Sequence, residues 1–181
     1  MQTKTVQDYL LMEDEKRYEL IYGRLYEMPS PTFEHQLILK RLMLILDEFV
    51  SKNKLGEVIP APFDVILSEE VVVQPDIVFI SNEGMRNIKE GRLFGKPQLV
   101  VEIVSKGTFH RDTVKKKEIY QKFGIGEYWL VFPSEQVVQV WTLSKDKYTL
   151  YSFAELEGKV SSKLLKGFQL DLKEVFGGEN S

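Results

Sequence analysis

The chain contains no cysteine. Disulfides, zinc–thiolate and iron–sulfur sites and thiol catalysis are excluded with it. Histidine is nearly as scarce: only His35 and His110 occur, too few for a multi-histidine metal cluster. Positive charge is not in excess either. Lys and Arg number 24 against 27 Asp and Glu, a formal net charge of −3. Nucleic-acid binding by bulk charge is therefore disfavoured, and any such contact needs a local basic patch. No apolar run approaches the ~18 residues of a bilayer-spanning helix. The first residues lack a signal peptide's basic start, apolar stretch and small-residue cleavage site. No repeat or low-complexity tract interrupts the chain. The expectation is a cytoplasmic protein with no membrane partner.

What is present is enough for one folded domain. Of 181 residues, 43% are hydrophobic and 28% charged, which argues against disorder. A single domain is expected over residues 1–176, with 177–181 (GGENS) as a flexible tail. The first 15 or so residues read as a short helix. Tyr18 to Met28 alternates about Gly23 and reads as a β-hairpin. Pro29, Pro31 and Thr32 break the chain and can cap a helix after them. Ile38, Leu42, Ile45, Leu46 and Phe49 then recur at helical spacing, predicting a helix from Phe33 to about Lys52.

Three strands are expected next: Glu57 to Leu67, Val71 to Ile80, and Gln98 to Ser105. The last is apolar on both faces except for Glu102, which marks a central strand covered on both sides. The polar segment between the second and third reads as loop with a helical turn. A helix over Arg111 to Phe123 comes next, then a strand over Glu127 to Pro133, a hairpin around Ser144–Lys147 and a short terminal strand and helix. Without its terminal hairpins the order is helix, three strands, helix, strand. A mixed sheet flanked by helices is the natural packing.

Two carboxylates stand inside apolar strands: Asp76 in VVVQPDIVFI and Glu102 in LVVEIVS. Burying a charge there is costly unless something pairs with it. One reading is a structural ion pair or a solvated strand end. The other is a divalent-metal site, since Mg²⁺ takes oxygen ligands from one or two carboxylates plus waters and substrate phosphate. Val100, Glu102 and Val104 share a face. A cation near Glu102 would also find a backbone carbonyl close by, such as that of Ile103. The pairing register, and so the Asp76–Glu102 distance, does not follow from the sequence.

On the second helix, Ile119, Tyr120 and Phe123 define the sheet-facing stripe. Lys116 falls near its centre with Asp112 beside it, and Lys115 and Lys117 fall to either side. The alternative is a solvated Lys116 paired with Asp112 at i, i+4. His35 at the start of the long helix reads more readily as a cap-region residue than as a ligand, and His110 as a surface residue or phosphate contact. Glu19 is ambiguous. Trp129 and Trp141 read as core or interface aromatics.

YELIYG, SPTFEHQ, APFDVIL, VVQPDIVFI, LVVEIVS, the Asp112/Lys116/Tyr120 helix and GIGEYWLVFP succeed one another in order from Tyr18 to about Phe176. In this the chain resembles the Uma-type family of restriction-endonuclease-like proteins, within the PD-(D/E)XK nuclease-like superfamily. The resemblance implies an α/β (α+β) fold with an αβββαβ core, a mixed sheet flanked by helices, and extra N- and C-terminal hairpins. It implies that Asp76 is the PD aspartate and Glu102 the acidic residue of the (D/E)XK element. Val104 stands where the simple motif has lysine; in relatives of this kind the lysine has moved to the following helix, and Lys116 fits that place. Glu34 and Glu19 both match family positions for an N-terminal active-site acid, with Glu34 preferred. Ser105 is followed by Lys106 and Gly107 rather than by the proline common there.

The implied activity is Mg²⁺-dependent hydrolysis of phosphodiester bonds, in DNA by preference, with Mn²⁺ able to substitute. Asp76, Glu102 and the Ile103 carbonyl would hold the metal. Lys116 would orient the attacking water or stabilise developing charge. Lys89, Arg92, Lys96, Lys106 and Arg111 are candidate phosphate contacts. Two alternatives stand beside the nuclease: a non-catalytic nucleic-acid-binding or assembly protein on the same fold, and a small-molecule phosphodiester hydrolase. Exposed aromatics in the terminal hairpins (Tyr148, Tyr151 and Phe153) suggest a homodimer interface.

Overall fold

The computed structural model describes residues 3–14 and 16–177. Residues 178–181, most of the expected tail, lie outside the described residues. After a short helix α1 (Val6–Leu10), strands β1 (Tyr18–Ile21) and β2 (Arg24–Glu27) form the first hairpin. Its two-residue turn holds Tyr22 and Gly23 at φ 48° and 73°, the left-handed pair that matches hairpin twist and that glycine at the second position eases. Helix α2 (Phe33–Lys52) comes next, with the Thr32 hydroxyl accepting from the His35 N–H as its cap. Ile38, Leu39, Leu42, Leu46 and Val50 are its buried stripe.

The strands expected over Glu57 to Leu67 and Val71 to Ile80 are each two strands. The first divides into β3 (Gly56–Pro60) and β4 (Val65–Ser68), the second into β5 (Val71–Val73) and β6 (Ile77–Ser81). Proline explains both breaks. It cannot donate to a ladder, and Pro60, Pro62 and Pro75 stand where each run leaves one sheet for another. The segment after β6 holds one short 3₁₀ turn (Gly84–Asn87), as expected. It also holds a small hairpin, β7 (Ile88–Lys89) and β8 (Arg92–Phe94), in place of the expected loop. Both strands are too short for alternation to show.

Beyond it lie β9 (Leu99–Ile103), a helical segment, and β10 (Glu127–Phe132). The helical segment begins as a π-helix over Arg111–Lys116 and continues as α3 (Lys117–Lys122). Strands β11 (Val137–Ser144) and β12 (Lys147–Glu155) form the later hairpin, and β13 (Lys159–Ser161), β14 (Gln169–Asp171) and α4 (Leu172–Phe176) close the chain.

Two six-stranded sheets result. One runs β2-β1-β5-β4-β8-β7, and the central one runs β12-β11-β10-β9-β6-β3. Within the central sheet β3/β6 and β6/β9 are antiparallel and β9/β10 parallel. With α2 before and α3 within the β9–β10 crossover, this is the αβββαβ core. Side-chain alternation divides the interior. Leu99, Val101, Ile103, Trp129 and Val131 pack with α2 and α4. Val100, Val104, Tyr128 and Leu130 pack on the other side with Ile119 and Tyr120 of α3 and with the first sheet. Glu102 shares parity with the second set and so faces the first sheet and the α3 helix.

Tyr148, expected to be exposed, is buried, and its hydroxyl donates to the Ile125 carbonyl. Its β-strand neighbours explain this: parity turns it inward while Tyr151 and Phe153 remain exposed. Among the described residues no helix is long and apolar enough to cross a membrane.

Candidate active site

The register that the sequence left open is set by the β6/β9 ladder. Ile77 pairs with Val101, so the residue before β6, Asp76, lies beside the Glu102–Ile103 end of β9. The contact is direct: the Ile103 N–H donates to Asp76 Oδ2 at 2.7 Å. Asp76 is therefore held at the point where the chain crosses from β5 into the central sheet. Its own carbonyl accepts from Ala61 N on the β3–β4 crossing. The two proline-marked breaks meet here, which is why backbone irregularity and a carboxylate coincide.

Glu102 receives two donors on one oxygen. Lys116 Nζ lies 2.7 Å from its Oε1, and the Tyr120 hydroxyl donates to the same atom at 2.6 Å. Lys116 also lies 2.7 Å from Glu19 Oε1 and 3.8 Å from Asp112 Oδ1. The ammonium is 1% exposed and Glu19 fully buried. Glu19 Oε1 additionally accepts from the Gln74 N–H at 2.9 Å, so the acid ties the first hairpin to the β5–β6 crossing. Asp112, Lys116 and Tyr120 share one face because helical residues four apart do. Lys115 and Lys117 lie to either side: Lys115 donates to the Tyr26 hydroxyl, and Lys117 sits over the Trp141 ring.

Burial sets the protonation behaviour of this cluster. It pushes the Glu102 carboxyl well above the usual carboxylate range, against the pull of Lys116. It raises Asp112 to about 6, again opposed by Lys116. Burial works to lower Lys116, but Glu102, Glu19 and Asp112 outweigh it and hold the amine above its ordinary value. Burial also works to lower His35, and its bond to Asp76 prevails, leaving it raised.

A cavity of about 620 Å³ opens over the cluster. Asp76, Glu102, Ile103, Asp112 and Lys116 line it, and so do Glu34, His35, Arg17, Lys106 and Arg111. His35 Nε2 lies 3.3 Å from Asp76 Oδ2, a contact that cap-region placement alone did not foretell. Glu34 is exposed on this cavity; the acid placed against Lys116 is Glu19, not the preferred Glu34. A lone glutamate in an alternating hairpin carries no mark of its partner across the fold, so the Glu19–Lys116 contact was not legible in the sequence. Of the five candidate phosphate contacts only Lys106 and Arg111 line the cavity. Arg92 pairs with Asp64, and Lys96 donates to the Gly124 carbonyl.

Among the described residues no group of three or more His, Asp or Glu forms a ready cation cage. The donor set nonetheless suits Mg²⁺ or Mn²⁺. Asp76 Oδ1 and Glu102 Oε2 take no hydrogen bond from any described residue, while the second oxygen of each is anchored. Two oriented carboxylates with room for waters and a phosphate is what a small, hard, hydrated cation takes.

A family model described as "Putative restriction endonuclease", named Uma2, matches residues 6–173. A solved structure from Anabaena variabilis, described as a putative nuclease belonging to DUF820, aligns with a TM-score of 0.79 at 20% identity. It covers 95% of this chain and 97% of that one. Comparison with curated proteins finds no match.

Proposed function

Given that the chain belongs to the Uma2 family of restriction-endonuclease-like nucleases, we propose that it is a metal-dependent nuclease cleaving phosphodiester bonds in DNA. One observation carries this reading. Asp76 and Glu102, from neighbouring strands, each present an unengaged oxygen at one cavity, beside a lysine that neutralises buried carboxylate charge.

Asp76 and Glu102 would hold a divalent cation, Mg²⁺ or Mn²⁺, through their unengaged carboxylate oxygens, and the Ile103 carbonyl would be a further oxygen donor. When bound, the ion supplies polarisation of a phosphate oxygen and acidification of a bound water. The chain's own contributions are distinct from that. Lys116 draws the Glu102 carboxyl down against the burial that raises it, and supplies the counter-charge for the anionic form. Tyr120 and Lys116 fix the orientation of the carboxylate from behind. The Ile103 N–H and His35 do the same for Asp76.

The test is calorimetric titration with Mg²⁺ and Mn²⁺ on the wild type, Asp76→Ala and Glu102→Ala, with plasmid and oligonucleotide cleavage on the same preparations. Binding and cleavage present in the wild type and lost in both variants are expected. Wild-type protein that binds neither ion, with or without DNA, would overturn the reading and leave the carboxylates as structural.

A further inference from the structure

We propose that Arg111 forms an anion subsite in the wall of this cavity, and that its guanidinium, rather than the Lys116 ammonium, grips a phosphate of the substrate strand. The assignment rests on the nuclease reading. It begins with what Lys116 has left to offer. An ammonium has three N–H donors and no acceptor. Lys116 lies 2.7 Å from Glu19, 2.7 Å from Glu102 and 3.8 Å from Asp112, and its side chain is 1% exposed. Each carboxylate neighbour claims part of its charge, and a phosphate would have to displace one of them. Lys116 therefore acts as a positioning residue for the acids.

Arg111 is the reverse case. Its side chain is only 12% exposed, yet it makes no hydrogen bond to any described residue. Nε lies 3.5 Å from Glu19 Oε2, an ion-pair distance, and both atoms are buried without a hydrogen-bond partner. No described acceptor engages its terminal nitrogens. A guanidinium carries five donors in a fixed fork, and a buried polar group left unpaired is costly. Glu19 supplies the counter-charge that holds the group in place without satisfying its donors. Arg111 lines the same cavity as Asp76 and Glu102. An oxyanion with two oxygens in one plane fits such a fork, and in a nuclease cavity that anion is the phosphodiester. Lys106 and Arg17 also line the cavity, but Lys106 is exposed and neither has an ion pair that pre-orients it.

The experiment compares wild type with Arg111→Gln, Arg111→Lys and a charge-matched surface control, Lys52→Gln, each checked for folding by circular dichroism. Fluorescein-labelled oligonucleotides, single- and double-stranded, are titrated by anisotropy with Ca²⁺ in place of Mg²⁺ across a NaCl series. Mg²⁺ affinity is measured by calorimetry without nucleic acid. Arg111→Gln is expected to lose about tenfold or more in oligonucleotide affinity and to reduce the salt slope by about one. Arg111→Lys should recover only part, because the charge returns without the fork. Mg²⁺ affinity should stay within about twofold of wild type in both, and Lys52→Gln should bind DNA as wild type does. A folded Arg111→Gln that binds with wild-type affinity and slope, a fully competent Arg111→Lys, or a wild type that binds no oligonucleotide would overturn the subsite. Cleavage is scored separately with Mg²⁺. A wild type that binds DNA through Arg111 but cleaves nothing overturns the nuclease reading alone, and one that cleaves indifferently to Arg111 overturns the subsite alone.

Discussion

Lys116 Nζ and Glu19 Oε1 stand 2.7 Å apart, joining the crossover helix to the first hairpin through a contact that solvent does not reach. Lys116 is thus both the charge that makes Glu102 tolerable inside the protein and the link between the two sheets. Lys116→Met keeps the volume and removes the charge. It leaves Glu102 buried without a cation and Glu19 with only the 3.5 Å approach of Arg111, a loss that costs about 3–5 kcal/mol. Urea unfolding at pH 7.5 should show that loss. At pH 5 the deficit should shrink, because burial already pushes the Glu102 carboxyl upward and a protonated acid no longer needs the amine. A deficit that is the same at both pH values would remove the electrostatic explanation.

The two N-terminal acids should separate cleanly. Glu34 is exposed at the cavity, so Glu34→Gln should change stability by less than about 0.5 kcal/mol and leave cleavage within a few-fold. Glu19 is fully buried and touches Lys116, Gln74 N and Arg111. Glu19→Gln should destabilise by about 3–5 kcal/mol and abolish cleavage. Unfolding curves and a plasmid assay on the two variants decide it, and equal effects would contradict the placement of Glu19 as the acid that matters.

The contrast between these two residues marks how far sequence carried. Periodicity exposes properties of one element at a time. The spacing of Ile119, Tyr120 and Phe123 aimed Lys116 at the sheet, and parity put Glu102 on the face with Val100 and Val104; Lys116 does lie against Glu102. Helix α2 has the span its stripe implied. What periodicity does not hold is register and the path between sheets. The runs Glu57 to Leu67 and Val71 to Ile80 look continuous in hydrophobicity, yet each changes sheet at its prolines. The Asp76–Ile103 and His35–Asp76 contacts arise only from that change. Glu19 meets Lys116 across the whole intervening fold, and a hairpin's alternation says nothing of a partner that distant. The π-helical start of the crossover helix was likewise invisible, since a wheel drawn at 100° per residue assumes regular α geometry.

Asp112 makes stability depend on pH in a direction opposite to the usual acid denaturation. Burial raises its pKa from 3.8 to about 6 in the folded protein. A carboxyl raised on folding binds more protons in the native state between those values. Its contribution is therefore complete below about pH 4 and is lost as pH rises through about 6. Lowering the pH from 7 toward 4.5 should strengthen this contribution, on the order of 2–3 kcal/mol in total for a shift of this size. Asp112→Asn, which cannot ionise, should flatten that part of the profile. Urea midpoints for wild type and variant across pH 4.5 to 7 are the measurement. Parallel profiles would mean that Asp112 does not titrate in this window.

Tyr120 offers the narrowest test of how the carboxylate is held. Its hydroxyl donates to Glu102 Oε1 at 2.6 Å, and its ring stacks edge-on against Tyr128 with centroids 5.0 Å apart. Tyr120→Phe keeps the ring and the stacking and deletes only the donor. Losing a hydrogen bond to a charged acceptor costs about 1.5–3 kcal/mol, so thermal and urea stability should fall by that order while the fold persists. The consequence for chemistry is separate. If Glu102 Oε2 holds a cation, Oε1 is the atom that orients it, and removing one of its two donors should weaken Mg²⁺ binding by about 10-fold or more. Lys116 would remain as the other donor, so binding should weaken rather than vanish. Calorimetry on Tyr120→Phe reads both quantities from one preparation. Lower stability with unchanged Mg²⁺ affinity would assign the hydroxyl to folding alone and detach it from the metal site.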